Sequence, residues 1–422
     1  MSDGSASGSN PIAEKSPPLS SYQRRLLAFL SVASFFEGYD FFALTQILPN
    51  LRADLHVGIA GGGLLVGFIN VGTILAFILA RKADRWGRKP VLTATIAGYT
   101  VFTFLSGLSP NVYVFAVLQM IARIFLIAEW ATSMVIAAEE FPAKGRGTAL
   151  GVVSAAAGFG AIVCAGVVPL LLTTAYGWRS VYFVSIVPLV LLAIARSGLK
   201  ETGRFSEQQQ EPEQEPEQES LFAIWGTRHR KRMLQLAVIW FLTYICTQNA
   251  VTFWKEFALA ERGLSDAQVG SAVKLSALAS MPLAFAAGKL LDVVGRKVGA
   301  TLIYASTITG VIGAYTAHSV TALTVSLVFA VLGVNTVLTV LNAFTTELFP
   351  TRYRGSAFGS SNNLIGRIGY CLSPVAVGAL IPRFGWGTTL AATTAFPLLG
   401  LVLIWFTLPE TRGRELEETA LL

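Results

Sequence analysis

The sequence predicts an all-α membrane protein whose twelve transmembrane helices form two pseudo-symmetric six-helix bundles. Three observations predict this fold class: apolar segments recur along the whole chain, basic residues gather on one side of them, and short motifs repeat at a fixed offset. Of the 422 residues, 53% are hydrophobic and only 14% are charged. A soluble protein of this length would carry about a quarter charged residues, so the composition excludes an ordinary soluble domain.

The apolar segments are each long enough, at about 18 residues or more, to cross a bilayer as a helix. They are expected near residues 24–50, 57–80, 90–108, 112–138, 147–175, 179–196, 232–257, 266–288, 298–317, 320–346, 355–381 and 387–408. The chain then divides into a disordered N-terminal tail (1–23), a first bundle (24–200), a linker (201–231), a second bundle (232–408) and a C-terminal tail (409–422). The linker contains the acidic, low-complexity stretch SEQQQEPEQEPEQES, which is typical of a disordered spacer.

The distribution of Lys and Arg predicts the orientation. With both termini in the cytoplasm, 24 of the 32 basic residues fall in cytoplasmic segments and four fall within helices. The four in external loops are Arg52, Arg179, Arg262 and Arg383. This bias obeys the positive-inside rule, so the net charge of +7 indicates topology and not nucleic-acid binding.

Cysteine usage and loop composition favour a bacterial inner membrane. Cys164, Cys246 and Cys371 fall within predicted helices, so no disulfide framework is expected. The chain has no Asn-x-Ser/Thr sequon, and the predicted loop between the first two helices is short. We expect a monomer that needs no cofactor and no metal.

The two halves repeat each other at an offset of 208 residues. Matching phrases are ADRWGRK (83–89) and LDVVGRK (291–297), EEFPAKGRG (139–147) and ELFPTRYRG (347–355), and YGWR (176–179) and FGWG (384–387). One constant offset across several motifs predicts two structural repeats of six helices each.

These phrases resemble the Major Facilitator Superfamily, and the resemblance covers the whole chain. The family's cytoplasmic loop pattern, Gly-x-Leu-Ala-Asp-Arg-x-Gly-Arg-Lys, is matched at Asp84, Arg85, Gly87, Arg88 and Lys89 and broken at Ala80 and Lys82. The resemblance implies a conformational latch, in which Asp84 caps the eleventh helix and pairs with Arg146 in the outward-open state. The latch set is Asp84, Arg88, Glu139 and Arg146 with their counterparts Asp292, Arg296, Glu347 and Arg354. The alternative is that these charges only set the topology.

Four charged residues lie in mid-membrane and are unique to one half. At the offset of 208, Glu37 maps onto Ile245, Asp40 onto Gln248, Arg123 onto Val331 and Arg367 onto Phe159. At about 1.5 Å per residue, Glu37 and Asp40 lie roughly 18 and 22 Å along the first helix from Arg25. Charges at this depth nearly always face a cavity or a partner.

Glu37 and Asp40 are the candidate proton-coupling site. They are three residues apart and share a helix face, and two carboxyls that close do not both ionise readily, so one would hold a proton near neutral pH. The three histidines all fall in predicted loops. The alternative is a structural ion pair with Arg123 of the fourth helix, and the two roles can coexist.

Arg367, within NNLIGRIGY, has no acid at its own level in the C-terminal half. It therefore needs a carboxylate from the other half or an anionic ligand, which a guanidinium can bind with two parallel hydrogen bonds. We expect substrate binding, with an inter-half gate or a structural arginine as alternatives. The other candidate substrate-binding residues are Arg123, Gln248, Asn249, Asn362, Tyr39 and Tyr244, with Asn335, Asn342, Trp130, Trp240, Glu129 and Lys274 as further candidates.

The phrase EGYD resembles the Asp-Gly-x-Asp phrase of the aromatic-acid:proton symporters, with Glu37 in place of the first Asp. Glu129 stands where related metabolite:proton symporters have a Glu in the fourth helix. Arg123 is only six residues before Glu129, whereas those relatives place an Arg about ten residues before it, so the substrate itself cannot be carried over. The resemblance implies proton-coupled import of a small organic anion by alternating access, with the proton gradient as driving force.

Four other functions remain open or are disfavoured by missing motifs. A sugar, polyol or zwitterion transporter is the first alternative, although TYICTQNAVTFW lacks the Gln-Gln-rich run of sugar porters. A drug:proton antiporter is the second, although GFGAIVCAGVVP lacks the Gly-Pro-x-x-Gly-Gly motif. A membrane sensor would need a signalling domain, and an enzyme would need a nucleophile elbow, phosphate loop or metal-ligand cluster, none of which appears in the sequence.

Overall fold

A computed structural model describes residues 19–80, 86–141, 143–188, 190 and 223–412. The first half contains α1 (Ser21–Asp54), α2 (Ile59–Ala80), α3 (Arg88–Gly107), α4 (Val112–Glu140), α5 (Ala143–Leu171) and the short α6 (Arg179–Phe183). The second half contains α7 (Arg230–Thr252), α8 (Trp254–Ala260), α9 (Asp266–Val294), α10 (Arg296–Thr316), α11 (Val320–Glu347), α12 (Thr351–Phe358), α13 (Arg367–Phe384), α14 (Trp386–Ala392) and α15 (Ala395–Thr407). A 3₁₀ turn, Ala223–Gly226, precedes α7, and a π-helix, Gly359–Gly366, joins α12 to α13.

Eleven helical stretches in the described part of the chain are long and apolar enough to cross a membrane. Each corresponds to one predicted segment. The sixth predicted segment (179–196) runs into residues 191–222, which lie outside the described residues, as do the tails 1–18 and 413–422 and the acidic stretch. The predicted fold class, an all-α membrane protein with two six-helix bundles, is confirmed.

The helix bounds differ from the predicted ones where capping and local breaks decide them. α1 begins three residues before the predicted start because Ser20 and Gln23 form a capping box. Ser265 and Gln268 form a second capping box at the start of α9, which begins at the predicted residue. The seventh segment, predicted as one helix over 232–257, is two helices that meet at Phe253.

The repeat is visible in matching ion pairs. Arg88 of α3 pairs with Glu139 of α4 at 3.0 Å, and Arg296 of α10 pairs with Glu347 of α11 at 2.8 Å. Both members of the second pair stand 208 residues after those of the first. The same two-helix contact is therefore built twice, once in each bundle.

The predicted latch can be followed only in part. Asp84 lies outside the described residues, and so do the side chains of Arg146 and Asp292. Arg354 donates to the backbone carbonyl of Phe349 in its own half, at 3.4 Å. Contact between Asp84 and Arg146 stays a prediction.

The closing phrase PETRGR has a structural role in the second bundle. The Glu410 carboxylate accepts hydrogen bonds from the backbone N–H groups of Arg296 and Lys297, at 2.8 and 2.9 Å. Burial by itself would raise the pKa of Glu410, but these two N–H groups and those of Arg412 and Thr411 outweigh it and lower the pKa. Glu410 therefore acts as an ionised cap on the first turn of α10.

We call the membrane side that carries Arg88 and Arg296 the inner side, and the opposite side the outer side. In the outer half, one continuous core joins both bundles: Leu48 and Trp178 of the first belong to the same buried cluster as Phe257, Tyr315 and Ile381 of the second. The two bundles are thus packed together at their outer ends.

In the inner half the core is split. One buried cluster contains only first-bundle residues, such as Leu30, Ile96 and Val153, and another contains only second-bundle residues, such as Met233. Among the described residues of these two clusters, the half-buried Phe41 is the one side chain that packs against both. The structure is therefore closed on the outer side and divided on the inner side.

Small residues allow the outer closure. A Cβ atom at Gly63 of α2 would lie 2.3 Å from the carbonyl oxygen of Pro374 and 3.0 Å from Cα of Gly378, both on α13. Only glycine lets these two backbones approach so closely, as is common where membrane helices cross.

An ion pair between the halves lies beside this contact. Arg52 in the last turn of α1 pairs with Glu256 of α8, whose side chain is buried. Arg52 was predicted to lie in an external loop; that prediction is wrong, because α1 continues through Pro49 to Asp54 and carries Arg52 into the interface.

We expect Gly63→Ala to open the outer side, because the added methyl group cannot fit against Pro374 and Gly378. The measurement uses Cys371 of α13, which is buried and whose backbone carbonyl oxygen would lie 2.6 Å from a Cβ atom at Gly67 of α2. Its rate of reaction with a membrane-impermeant thiol reagent added on the outer side is read by peptide mass spectrometry. The rate should rise several-fold. In the matched control, Gly151→Ala, a Cβ atom meets nothing within 4 Å, and labelling should not change. Equal labelling of the two variants would contradict the packing argument.

Candidate functional site between the two bundles

The mid-membrane charges of the first bundle lie at the level where the shared outer core ends. On α4, Arg123 stands between Phe115 of the outer core and Leu126 of the inner core. On α1, Glu37 and Asp40 stand at the same junction, and the exposed fractions of the three charged residues are only 7%, 6% and 6% for Glu37, Asp40 and Arg123. The predicted depth of these groups agrees with this placement.

None of the three is neutralised by direct contact within the described residues. Both carboxyl oxygens of Asp40 are buried without a hydrogen-bond partner, and Arg123 makes no ion pair within 4 Å; its guanidinium lies 4.5 Å from the ring centroid of Phe41. The alternative role of the α1 carboxylates, a structural ion pair with Arg123, is therefore not seen as a direct contact among the described residues. The groups interact across a longer distance: Arg123 is within electrostatic range of Glu37 and Asp40.

A third carboxyl belongs to this charged group. Glu129 of α4 is fully buried; its Oε1 accepts a hydrogen bond of 2.6 Å from Ser133, and its Oε2 has no partner. It is within electrostatic range of Glu37. The group thus contains three buried carboxyls, Glu37, Asp40 and Glu129, and one guanidinium, that of Arg123, so its net charge would be −2 if all four were ionised.

The second bundle presents the opposite charge. The guanidinium of Arg367 lies 5.6 Å from the ring centroid of Tyr244 and 5.2 Å from that of Tyr370, and its Nε is buried without a partner. The hydroxyl of Tyr244 donates to Oδ1 of Asn362 at 2.8 Å. Among the described residues, no carboxylate lies within ion-pair distance of Arg367.

Tyr370 was not among the predicted residues, and it is the side chain that connects the two halves of the site. It is within electrostatic range of both Arg123 and Arg367, and its backbone carbonyl accepts from Asn70 of α2 at 3.3 Å. Its position three residues after Arg367 puts both side chains on one face of α13, so helical spacing could have identified it. Phe41 could have been found in the same way, because it lies four residues after Glu37 on α1.

The backbone before Arg367 is a π-helix, Gly359–Gly366. A π-helix is wider than an α-helix and is common at functional sites. Here it contains Asn362 and is followed directly by Arg367, so it sets the rotational position of both residues around the helix axis.

Several predicted residues lie apart from the Arg367 cluster. Tyr39 is buried in the first bundle and donates to the carbonyl of Val181. Asn249 is buried beside Tyr315 and bonds to its own helix at Ile245, and Gln248 bonds to Thr252. Trp130, Lys274, Asn335 and Asn342 are exposed. Trp240, by contrast, lies beside the cluster: its ring centroid is 5.4 Å from that of Tyr244, and its indole N–H donates to Thr345.

We expect Asp40→Asn to raise the melting temperature of the detergent-solubilised protein by about 2 °C or more, since relieving roughly 1 kcal/mol has this effect in a larger chain. The neutral amide keeps the shape and removes one charge from an excess of buried carboxyls. Asp54→Asn, on the same helix, is the matched control. The Asp54 carboxylate accepts hydrogen bonds from Trp178 and Arg179 at 3.0 and 2.7 Å, so removing its charge should not raise the melting temperature. A fall in melting temperature for Asp40→Asn would contradict the reading of Asp40 as an unpaired buried acid.

The chain is similar to known membrane transporters in sequence and in fold. The chain is 27% identical to the sialic acid transporter NanX of Escherichia coli over 92% of this chain and 95% of that protein. It is 26% identical to a gallate transporter of Pseudomonas putida over 91% and 90% of the two chains. Its fold is similar to that of a solved bacterial homologue of the human lysosomal transporter Spinster in an inward-facing, occupied conformation. The TM-score is 0.73 and the sequence identity 15%, over 92% of this chain and 97% of that chain.

The sequence also matches a family profile over most of its length. The profile described as Major Facilitator Superfamily matches residues 30–374, and again residues 236–421. With the two-bundle fold and the full-length relatives, this establishes a multi-pass membrane transporter and not an enzyme. The chain belongs to the Major Facilitator Superfamily.

Proposed function

We propose that this transporter imports a small organic anion, a carboxylate, together with protons, by alternating access across a bacterial inner membrane. Both termini would lie in the cytoplasm, as the distribution of basic residues favours. The monomer would need no cofactor, because the proton gradient supplies the driving force.

The observation that carries the proposal is the separation of opposite charges between the halves. Arg367 has a buried, unpartnered Nε and two tyrosine rings beside it. A guanidinium held in this way binds a carboxylate with two parallel hydrogen bonds, and the rings of Tyr244 and Tyr370 offer flat surfaces to a planar or aromatic ligand. A carboxylate bound here would neutralise a charge that is costly to bury.

The proton sites would be Asp40 and Glu37. Both are buried in the first bundle, and protonation of either reduces the excess of negative charge among three carboxyls and one guanidinium. Tyr370 is within electrostatic range of Arg123 as well as Arg367. An anion bound beside Tyr370 would therefore lie close to the carboxyls around Arg123 as well as to Arg367. Proton and anion would then bind with positive coupling, since each lowers the electrostatic free energy that opposes the other.

The names of the relatives support a carboxylate. Sialic acid and gallic acid are both carboxylic acids, and gallate is aromatic. The two relatives are 27% and 26% identical to this chain, so the proposal extends to the class of carboxylates and to neither named substrate.

The binding prediction concerns charge and geometry. Titration of the purified protein, followed by intrinsic fluorescence or calorimetry, should show binding of gallate or benzoate that tightens as the pH falls from about 8 to 6, because each added proton favours the anion. Arg367→Ala should abolish binding, and Arg367→Lys should weaken it about tenfold or more, because the planar two-pronged contact is lost.

The control is Arg383→Ala, which removes an exposed arginine from the outer end of the same helix and should leave the affinity unchanged. A sugar and an organic cation complete the ligand panel. If either of these binds and no carboxylate does, or if Arg367→Ala keeps carboxylate affinity, the organic-anion proposal is wrong.

The coupling prediction separates binding from proton transfer. In proteoliposomes, Asp40→Asn should abolish uptake driven by a pH gradient, because the side chain can no longer exchange a proton, while counterflow exchange of labelled substrate survives. Asp54→Asn should keep both activities. Full gradient-driven uptake by Asp40→Asn would remove Asp40 from the coupling mechanism.

A further inference from the structure

A groove lies between α7 and α15 at the inner ends of these helices, on the surface of the second bundle and away from the site between the bundles. Its volume is about 510 Å³. The side chains of Leu234 and Val238 form one wall and that of Leu403 belongs to the other. Leu234 and Val238 are four residues apart, so they follow one face of α7 towards the middle of the membrane, and both are exposed, at 40% and 45%.

The inner mouth of the groove is basic. Arg230 and Lys231 line it and are exposed. Within the described part of the chain neither forms an ion pair, whereas the next residue, Arg232, is already engaged, because its guanidinium donates to the backbone carbonyl of Thr407. The mouth therefore offers two cationic groups that are free to bind an anion.

An exposed tryptophan marks the level of this mouth in the membrane. Trp405 of α15 is 46% exposed, and its indole N–H donates to Thr301 at 2.8 Å. Lys297 donates to the Trp405 carbonyl at 2.9 Å and lies 5.6 Å from the centroid of its ring. Trp and Lys side chains concentrate where hydrocarbon meets headgroups, and Phe406, exposed at 85%, faces outward beside them. The groove thus runs from the headgroup level into the hydrocarbon region.

We propose that this groove binds one anionic phospholipid of the adjacent leaflet, which is the cytoplasmic one in the orientation proposed above. The phosphate contacts Arg230 and Lys231, and one acyl chain lies along Leu234, Val238 and Leu403. Charge complementarity selects an anionic headgroup, and the apolar walls select a molecule that carries a chain. Basic pockets between helices at this level bind lipid headgroups by the same physics.

The test is native mass spectrometry of the full-length protein in detergent, titrated with dioleoyl-phosphatidylglycerol and, separately, with dioleoyl-phosphatidylcholine. The wild type should bind one phosphatidylglycerol more tightly than phosphatidylcholine. Arg230→Ala/Lys231→Ala should weaken phosphatidylglycerol binding about 30-fold, which corresponds to about 2 kcal/mol. Val238→Trp, which fills the groove and keeps both charges, should also abolish the tight adduct.

Matched controls remove the same charge or add the same bulk elsewhere. Arg25→Ala/Lys289→Ala takes two exposed basic residues from the inner ends of α1 and α9, and Val325→Trp adds an indole to an exposed position of α11; both should bind phosphatidylglycerol like the wild type. Equal loss in the charge control, or equal binding of the two lipids, would overturn the proposal. Competition by glycerol 3-phosphate at the lipid's own concentration would also overturn it, since the site would then be a free phosphate site.

Discussion

The arrangement of this protein depends on one constraint, which is that an ionised group in mid-membrane needs a partner. Asp40 in the first bundle and Arg367 in the second both contain buried polar atoms with no hydrogen-bond partner, and such groups are costly to keep charged in a low-dielectric interior. Among the described residues, neither bundle supplies a hydrogen bond or an ion pair to these atoms of its own charged residue. Relief has to come from the other bundle, from a bound proton or from a ligand.

The packing explains why these charges lie where they do. The outer core joins both bundles, whereas the inner cores are separate. Arg123, Glu37 and Asp40 lie where the shared outer core ends and the separate inner cores begin. On its outer side the boundary is closed by the α2–α13 contact at Gly63 and by the Arg52–Glu256 ion pair. The unpaired charges are therefore at the closed end of the space between the separated inner halves, where a ligand entering or leaving on that side would meet them.

Sequence patterns predicted the fold well because hydropathy, basic-residue bias and the offset of 208 are local or periodic features. Contacts between side chains far apart in the sequence could not be predicted from these features. Arg88 and Glu139 were both predicted latch residues, but their pairing was not predicted, because they are 51 residues apart along the chain. Arg52 was misplaced for the same reason: its partner Glu256 is 204 residues away. Tyr370 could have been identified from its position three residues after Arg367, but that spacing does not reveal its contact with Asn70 of the other bundle.

Two helices carry both the proposed ligand or proton site and the outer closure, and this has a mechanical consequence. On α13, Arg367 precedes Pro374 by seven residues, roughly 10 Å along the axis at 1.5 Å per residue. On α1, Asp40 precedes Arg52 by twelve residues, roughly 18 Å. A ligand that pulls Arg367 towards the first bundle, or a proton that releases Asp40, therefore acts on the same rigid elements that hold the outer side shut. Coupling between the site and the outer closure then needs no chain of intermediate contacts, because α1 and α13 each carry both. The difference in ligand affinity between the two conformations supplies the bias.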